Sequence, residues 1–281
     1  MTNSFIDTPS TVASAVTSTI PKLKFTPIPI FSSNYVWVIE HGTDKQAYIV
    51  DPGSSDEVLS YLEKTGLALC GILITHSHND HIGGVNDIIK QKQAPVYGPK
   101  SERIPQVTHT LADADSFELW PEITARILHL PGHLPEHIVF FVEQDNQAPA
   151  LFCGDVLFSS GCGRMFSGPA ETYQHSLSRL ASLPEATRIF CAHEYTRDNI
   201  RFAKHIEPHN QALDEKDAQA KRQIEQRGTS LPTTLGEELH TNPFLRTKNQ
   251  ELLTRLCELS GEEAKTEVEA FALLRALKDR F

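Results

Sequence analysis

The chain has 281 residues, 40% of them hydrophobic and 22% charged, which is the balance of a globular protein long enough to bury a core without disulfide or metal staples. Its 26 Lys and Arg against 36 Asp and Glu leave a formal charge of −10, a field that repels nucleic acid and anionic membrane surfaces. No run approaches the roughly 18 apolar residues of a membrane helix, so neither membrane nor nucleic acid is expected as a partner.

Residues 8–19 hold seven Ser or Thr with no apolar stretch, and no basic residue precedes Lys22. This is the pattern of neither a signal nor a transit peptide, and residues 1–22 are expected to form a flexible tail. Strands are expected at Lys24–Ile30, Asn34–Glu40, Gln46–Asp51 and Leu69–Thr75, then at Ala125–Leu130, Ile138–Glu143, Ala150–Cys153 and Arg188–Cys191. Helices fit Asp56–Lys64, Val85–Lys90 and Glu171–Leu183. The first three strands follow one another through short turns, which suggests an antiparallel meander joined to α/β crossovers. After His193 the text turns almost wholly helical, broken at Pro208 and Gly228 and carrying a Thr234-x-x-Glu237 capping box. A last helix from about Glu262 carries Val268, Phe271, Leu274 and Phe281 on one stripe. The division expected is a mixed α/β domain over 23–193 and a helical one over 194–281.

The five cysteines (Cys70, Cys153, Cys162, Cys191 and Cys257) are odd in number and form no C-x-x-C pair, which suits a reducing, cytoplasmic setting. Cys70, Cys153 and Cys191 sit in apolar runs and are expected to pack as small hydrophobes.

Thirteen histidines are present, and their placement carries the chemistry. The apolar run Gly71–Thr75 leads directly into His76-Ser-His78-Asn-Asp80-His81. Burying three imidazoles and a carboxylate together is costly unless something satisfies their lone pairs, and these are ligands of borderline divalent metals. Period-2 geometry would send His76 and His78 to one side, while Asp80 and His81 open the next helix. Gly83-Gly84 behind them permits close backbone approach. Three further candidates, His133, Asp155 and His193, each follow an apolar run and a small residue, as converging strand ends require. His129 and His137 read as core residues, whereas His41, His109, His175, His205, His209 and His240 read as solvated.

The Thr75-His76-x-His78-x-Asp80-His81 segment, with His133, Asp155 and His193, resembles the metallo-β-lactamase superfamily. Gly161-Cys-Gly-Arg-Met-Phe166, His193-Glu-Tyr-Thr196 and Leu274-Arg275-x-x-Lys278-Asp-Arg-Phe281 narrow the resemblance to the bacterial glyoxalase II (hydroxyacylglutathione hydrolase) family, from Lys24 to Phe281. The resemblance implies a four-layer αβ/βα sandwich followed by a small all-helical C-terminal domain. It implies two divalent ions, zinc first, with iron or manganese also accommodated. His76, His78 and His133 hold one ion, Asp80, His81 and His193 the other, and Asp155 bridges them. Asp80 also orients the hydrolytic hydroxide. Arg275 and Lys278 take the glycine carboxylate of glutathione, Arg164 and Tyr195 line the glutathione site, and Phe166 contributes packing. The implied reaction is cleavage of S-D-lactoylglutathione to D-lactate and glutathione, a small-molecule reaction in a monomeric enzyme.

Two departures stand out. Leu134-Pro135-Glu136 replaces a Thr-x-Gly beside a ligand, and Ser167-Gly168-Pro169 replaces Glu-Gly-Thr near the substrate rim. Competing readings are a mononuclear-iron persulfide dioxygenase, a lactonase, and a metal-stabilised binding module with no open coordination position.

Overall fold

The computed structural model describes residues 22–42, 44–144 and 147–281. The expected tail thus lies, except for Lys22, outside the described residues. Two six-stranded sheets form among them. The first is built from β1 (Lys24–Ile30), β2 (Asn34–Glu40), β3 (Gln46–Val50), β4 (Ala68–Leu73), β5 (Val96–Pro99) and β6 (His109–Leu111), in that order. Its first three strands are the expected antiparallel meander, and β3 to β6 run parallel through the crossovers. Those crossovers carry α1 (Asp56–Thr65), the short α2 (Asn79–Ile82) and α3 (Val85–Lys92).

The second sheet takes β7 (Ser116–Trp120), β8 (Ile123–His129), β9 (Ile138–Gln144), β10 (Ala150–Gly154), β13 (Arg188–Cys191) and β14 (Thr233–Thr234). A small hairpin of β11 (Leu157–Phe158) and β12 (Gly161–Cys162) follows β10, and α4 (Ala170–Ala181) precedes β13. The C-terminal helices are α5 (Thr196–Ile206), α6 (Gln211–Arg227), α7 (Leu235–Thr241), α8 (Gln250–Ser260) and α9 (Glu267–Arg280).

Period-2 alternation sorts β2 between two layers. Tyr35, Trp37 and Ile39 join the core shared with Phe140, Phe152 and Phe190 of the second sheet, while Val36 and Val38 pack with Val58 and Leu62 of α1 and Val85 and Ile88 of α3. Tyr173 and Leu177 of α4, Phe202 of α5 and Phe271 and Leu274 of α9 belong to the core on the other side. The layers therefore run helix, sheet, sheet, helix: the αβ/βα sandwich is present, with helices closing the chain.

β5, β6 and β7 were not expected; β5 and β6 are only three or four residues long, too short to show periodicity, and Pro95 and Pro99 disguise β5. The Thr234–Glu237 capping box forms. The last helix starts at Glu267 rather than near Glu262, because a second capping box, Thr266 with Glu269, sets its beginning. All five cysteines are free; Cys153 and Cys191 are fully buried, but Cys70 is only partly covered. His41, expected in solvent, instead lays its ring 5.1 Å from that of Trp120.

Candidate metal centre

The candidate ligands sit just beyond strand ends, in the loops or the short helix that follow them. β4 ends at Leu73, two residues earlier than expected, because the Thr75 N–H and hydroxyl turn to the carboxylate of Asp51 (2.8 and 2.6 Å) instead of a neighbouring strand. His76 and His78 therefore follow in irregular backbone, yet Nε2 of His76 and Nδ1 of His78 come within 3.2 Å. Asp80 and His81 lie in α2, as expected. The loop is held close to the β3–α1 turn: a Cβ at Gly53 would stand 1.9 Å from the Asp80 carbonyl oxygen, so only glycine fits there. His133, Asp155 and His193 arrive after β8, β10 and β13.

These side chains form two sets divided by one carboxylate. His133 Nε2 lies 3.0 Å from His78 Nδ1, completing a set with His76. Asp80 Oδ2 lies 3.5 Å from Nε2 of both His81 and His193, completing the other. Asp155 stands between them. Its Oδ2 is 3.4 Å from His133 Nε2, and its Oδ1 is 3.4 Å from Nε2 of His81 and of His193.

Outer partners determine which ring nitrogens are free. His133 donates through Nδ1 to the Arg164 carbonyl (2.8 Å), and His81 through Nδ1 to Asp51 (3.0 Å). The Thr75 hydroxyl, already donating to Asp51, accepts from His76 Nδ1 (3.0 Å). Ser33 Oγ lies 3.3 Å from His193 Nδ1. In each case Nε2 is the nitrogen turned into the cluster, the arrangement that outer hydrogen bonds give to metal-binding imidazoles.

The donors fit divalent cations. His81 Nε2 and Asp155 Oδ1 are buried with no hydrogen-bond partner, a cost that a cation removes. Electrostatics point the same way. Burial alone would lower the His81 pKa, but Asp155, Asp51 and Asp80 outweigh it and push it up to about 9. Burial would raise Asp155, yet His81, His193 and His133 hold it far below the usual carboxylate range. The pocket thus recruits positive charge. His76 and His137 are pushed well below the usual imidazole range, chiefly by burial. His137 stacks on His76 at 4.5 Å and accepts the Asp155 N–H (3.2 Å), so it is the supporting core residue expected.

The cluster opens into a cleft of about 480 Å³ lined by His78, Asp80, His133, Asp155 and His193 together with Arg164, Phe166, Tyr195, Arg275 and Lys278. All of the residues expected at the substrate site are thus brought there. Tyr195 stacks flat on His193, with centroids 4.6 Å apart. Phe166 is 60% exposed and meets the His78 and His133 rings edge-on. Lys278 reaches the Asp198 carbonyl at 3.4 Å, and burial together with Arg275 lowers its pKa to about 8. Arg275 is buried and already engaged: one nitrogen donates to the Cys162 and Gly163 carbonyls (3.1 and 3.4 Å), and the others pair with Asp279.

Several contributors escaped the sequence reading. Asp51 closes an apolar run as Asp155 does, and that pattern alone could have flagged it. Asn34 Nδ2 donates to Asp80 Oδ2 (2.9 Å), and Ser77 donates to Glu136 (2.5 Å), so the altered 134–136 segment supplies a carboxylate to the His76–His78 loop. Neither contact has a local signature.

Fold and site together define a metallo-β-lactamase-type protein. The metallo-β-lactamase superfamily model matches residues 30–193 and the hydroxyacylglutathione hydrolase C-terminus model matches 194–281. The hydroxyacylglutathione hydrolase of Shewanella pealeana is 41% identical over 92% of this chain and 100% of its own length. That of Nitrosomonas europaea is 40% identical over 91% of this chain and 95% of its own. Among solved structures, the BLEG-1 B3 metallo-β-lactamase superposes with a TM-score of 0.59 at 25% identity, covering 79% of this chain and 99% of that one. ETHE1 from Myxococcus xanthus shares the fold, with a TM-score of 0.60 at 23% identity over 91% of this chain and 99% of its own. The chain belongs to the metallo-β-lactamase superfamily and, within it, to the hydroxyacylglutathione hydrolases.

Proposed function

We propose that this chain hydrolyses S-(2-hydroxyacyl)glutathione thioesters, S-D-lactoylglutathione first among them, to the hydroxy acid and glutathione. The observation that carries the reading is the division of the Asp155 oxygens between two donor sets, beside a cleft that offers cations. His76, His78 and His133 are the proposed ligands of one divalent ion, Asp80, His81 and His193 of a second, and Asp155 of both, a nitrogen and oxygen donor set that suits zinc and also accommodates iron or manganese. Bound there, two such ions supply an activated water and a Lewis acid for the thioester carbonyl.

The chain's own groups do the rest. Asp80, anchored by Asn34, accepts a hydrogen bond from the attacking water and so aims it. The departing thiolate, with an ordinary pKa of ~8.5, needs no strong general acid. Arg164 and Lys278 offer the charges that glutathione's carboxylates require, Tyr195 gives a flat face for the peptide, and Phe166 covers the mouth. Arg275 already directs its donors to the Cys162 and Gly163 carbonyls and to Asp279, so its part is to hold that side of the cleft and leave the carboxylate to Lys278. The enzyme is proposed to act as a single cytoplasmic chain; among the described residues no helix is long and apolar enough to cross a membrane.

The test is metal analysis and acyl-glutathione turnover on one sample. About two divalent ions per chain, with turnover lost to a chelator and restored by Zn²⁺, is the expected result. One iron per chain with oxygen consumption on glutathione persulfide would replace this reading with the dioxygenase one.

A further inference from the structure

The hairpin β11–β12 runs through the protein interior, with residues 156–163 all buried. Its turn places Ser160 at φ +57°, a backbone state that costs a residue other than glycine free energy unless its surroundings enforce it. Buried backbone polar groups must find partners, and here the C-terminal helices supply them. Asn242, just after α7, donates from Nδ2 to the Phe158 and Gly161 carbonyls (3.1 and 2.9 Å). Glu238 of α7 accepts the Ser160 N–H (2.8 Å) and also a hydrogen bond from Asn242 (3.0 Å). Asn199 of α5 donates to the Ser159 carbonyl (3.1 Å). Lys216 of α6 pairs with Glu238 at the back, where Thr233 also donates to that carboxylate (2.9 Å). Glu238 and Asn242 are both completely buried.

The far side of this hairpin touches the metal cluster. Phe158 meets the His193 ring edge-on at 5.6 Å. A Cβ at Gly163 would stand 2.8 Å from His133 Nδ1 and 2.1 Å from the Asp155 carbonyl oxygen, so the chain leaving the hairpin lies directly against both. The next residue, Arg164, provides the carbonyl that holds His133 Nδ1 at 2.8 Å.

We infer that Asn242 and Glu238 are positioning residues: they fix the 157–164 hairpin, and through it the tautomer and direction of His133, so the C-terminal helices set the affinity of one metal position. The inference rests on the two-ion reading above. Losing an outer partner of a ligand typically costs 10- to 100-fold in metal affinity.

The test uses the full chain loaded with Co²⁺. Asn242→Asp keeps the shape but turns a donor into a carboxylate facing two carbonyls and the Glu238 carboxylate. It is expected to let EDTA strip one of two Co²⁺ ions about tenfold faster, with the other unchanged, and to alter the visible Co²⁺ spectrum. Thermal unfolding of the metal-free variant, followed in parallel, reports any general loosening. Should Asn242→Asp not fold, Asn199→Asp, which meets the same hairpin at the Ser159 carbonyl and packs against Gly161, carries the same test with the same expected outcome. Wild-type release rates for both ions, or equal acceleration of both, overturn the positioning role. A wild-type chain that takes up fewer than two Co²⁺ ions overturns the two-ion reading and this inference with it.

Discussion

On one wall of the cleft, the candidate ligands follow β4, β8, β10 and β13, and five of the seven, His76, Asp80, His81, His133 and His193, have an outer partner. On the other wall, Lys278 leans from α9 over the Phe202 and Phe281 rings and touches a single carbonyl, while Phe166 stands mostly in solvent. The outer partners limit how the ligand side chains can turn, and the two buried atoms left without a hydrogen bond, His81 Nε2 and Asp155 Oδ1, are those that a cation would satisfy. On the other wall Lys278 can stay adaptable, since a half-exposed cation loses little when it moves, whereas Arg275 is buried and held. On the proposed reading, chemistry falls to the ligand wall and binding to the groups around Lys278, and substitutions should separate the two.

The largest effect is expected at the element that joins the two donor sets. Asp155→Ala should remove bound metal and lower kcat by more than about 100-fold, beyond the loss typical of an outer partner. Metal analysis beside steady-state kinetics checks this; full metal content with unchanged kcat would show that Asp155 bridges nothing.

A smaller loss is expected one shell out. Asp51→Asn should weaken metal binding by about 10- to 100-fold, because the amide cannot accept from Thr75 and His81 as the carboxylate does. Competition with a chromophoric chelator measures it, and excess Zn²⁺ should recover most of the activity.

The gentlest change belongs to the helical wall. The pKa of Lys278 is lowered to about 8, so its charge is present below that pH and lost above it. KM for S-D-lactoylglutathione should therefore rise by up to about tenfold between pH 7 and 9, with little change in kcat. In Lys278→Met, KM should already be raised at pH 7, and the part of the pH dependence due to this residue should vanish. A parallel fall in kcat would contradict the division between the walls.

The two walls also differed in how readable they were. The His76–His81 motif announces itself because its donors are adjacent in sequence, and His133, Asp155 and His193 follow the same grammar of apolar run, small residue, ligand. The strands β1, β2 and β13 fall at the expected bounds because each is a clean apolar or alternating run. What stayed hidden depends on distant contacts. Asn34 reaches Asp80 across 46 residues, and Asn242 reaches Phe158 across 84, and nothing local distinguishes these asparagines from caps or turns. Arg275 is expected from the resemblance to take a glutathione carboxylate, yet it is buried, and its hydrogen bond to the Cys162 carbonyl spans 113 residues. A helical sequence can show which face a side chain is on, but not which backbone carbonyl it will meet.

The most direct test of two ions divided by Asp155 is anomalous diffraction at the zinc edge from crystals of the metal-loaded chain. Two peaks are expected on either side of that carboxylate. One should lie about 2.0–2.1 Å from the nitrogens of His76, His78 and His133, and the other at the same distance from those of His81 and His193, with Asp80 completing its shell. A single peak, or one that leaves His133 or His193 without a bond, would contradict the two-ion centre.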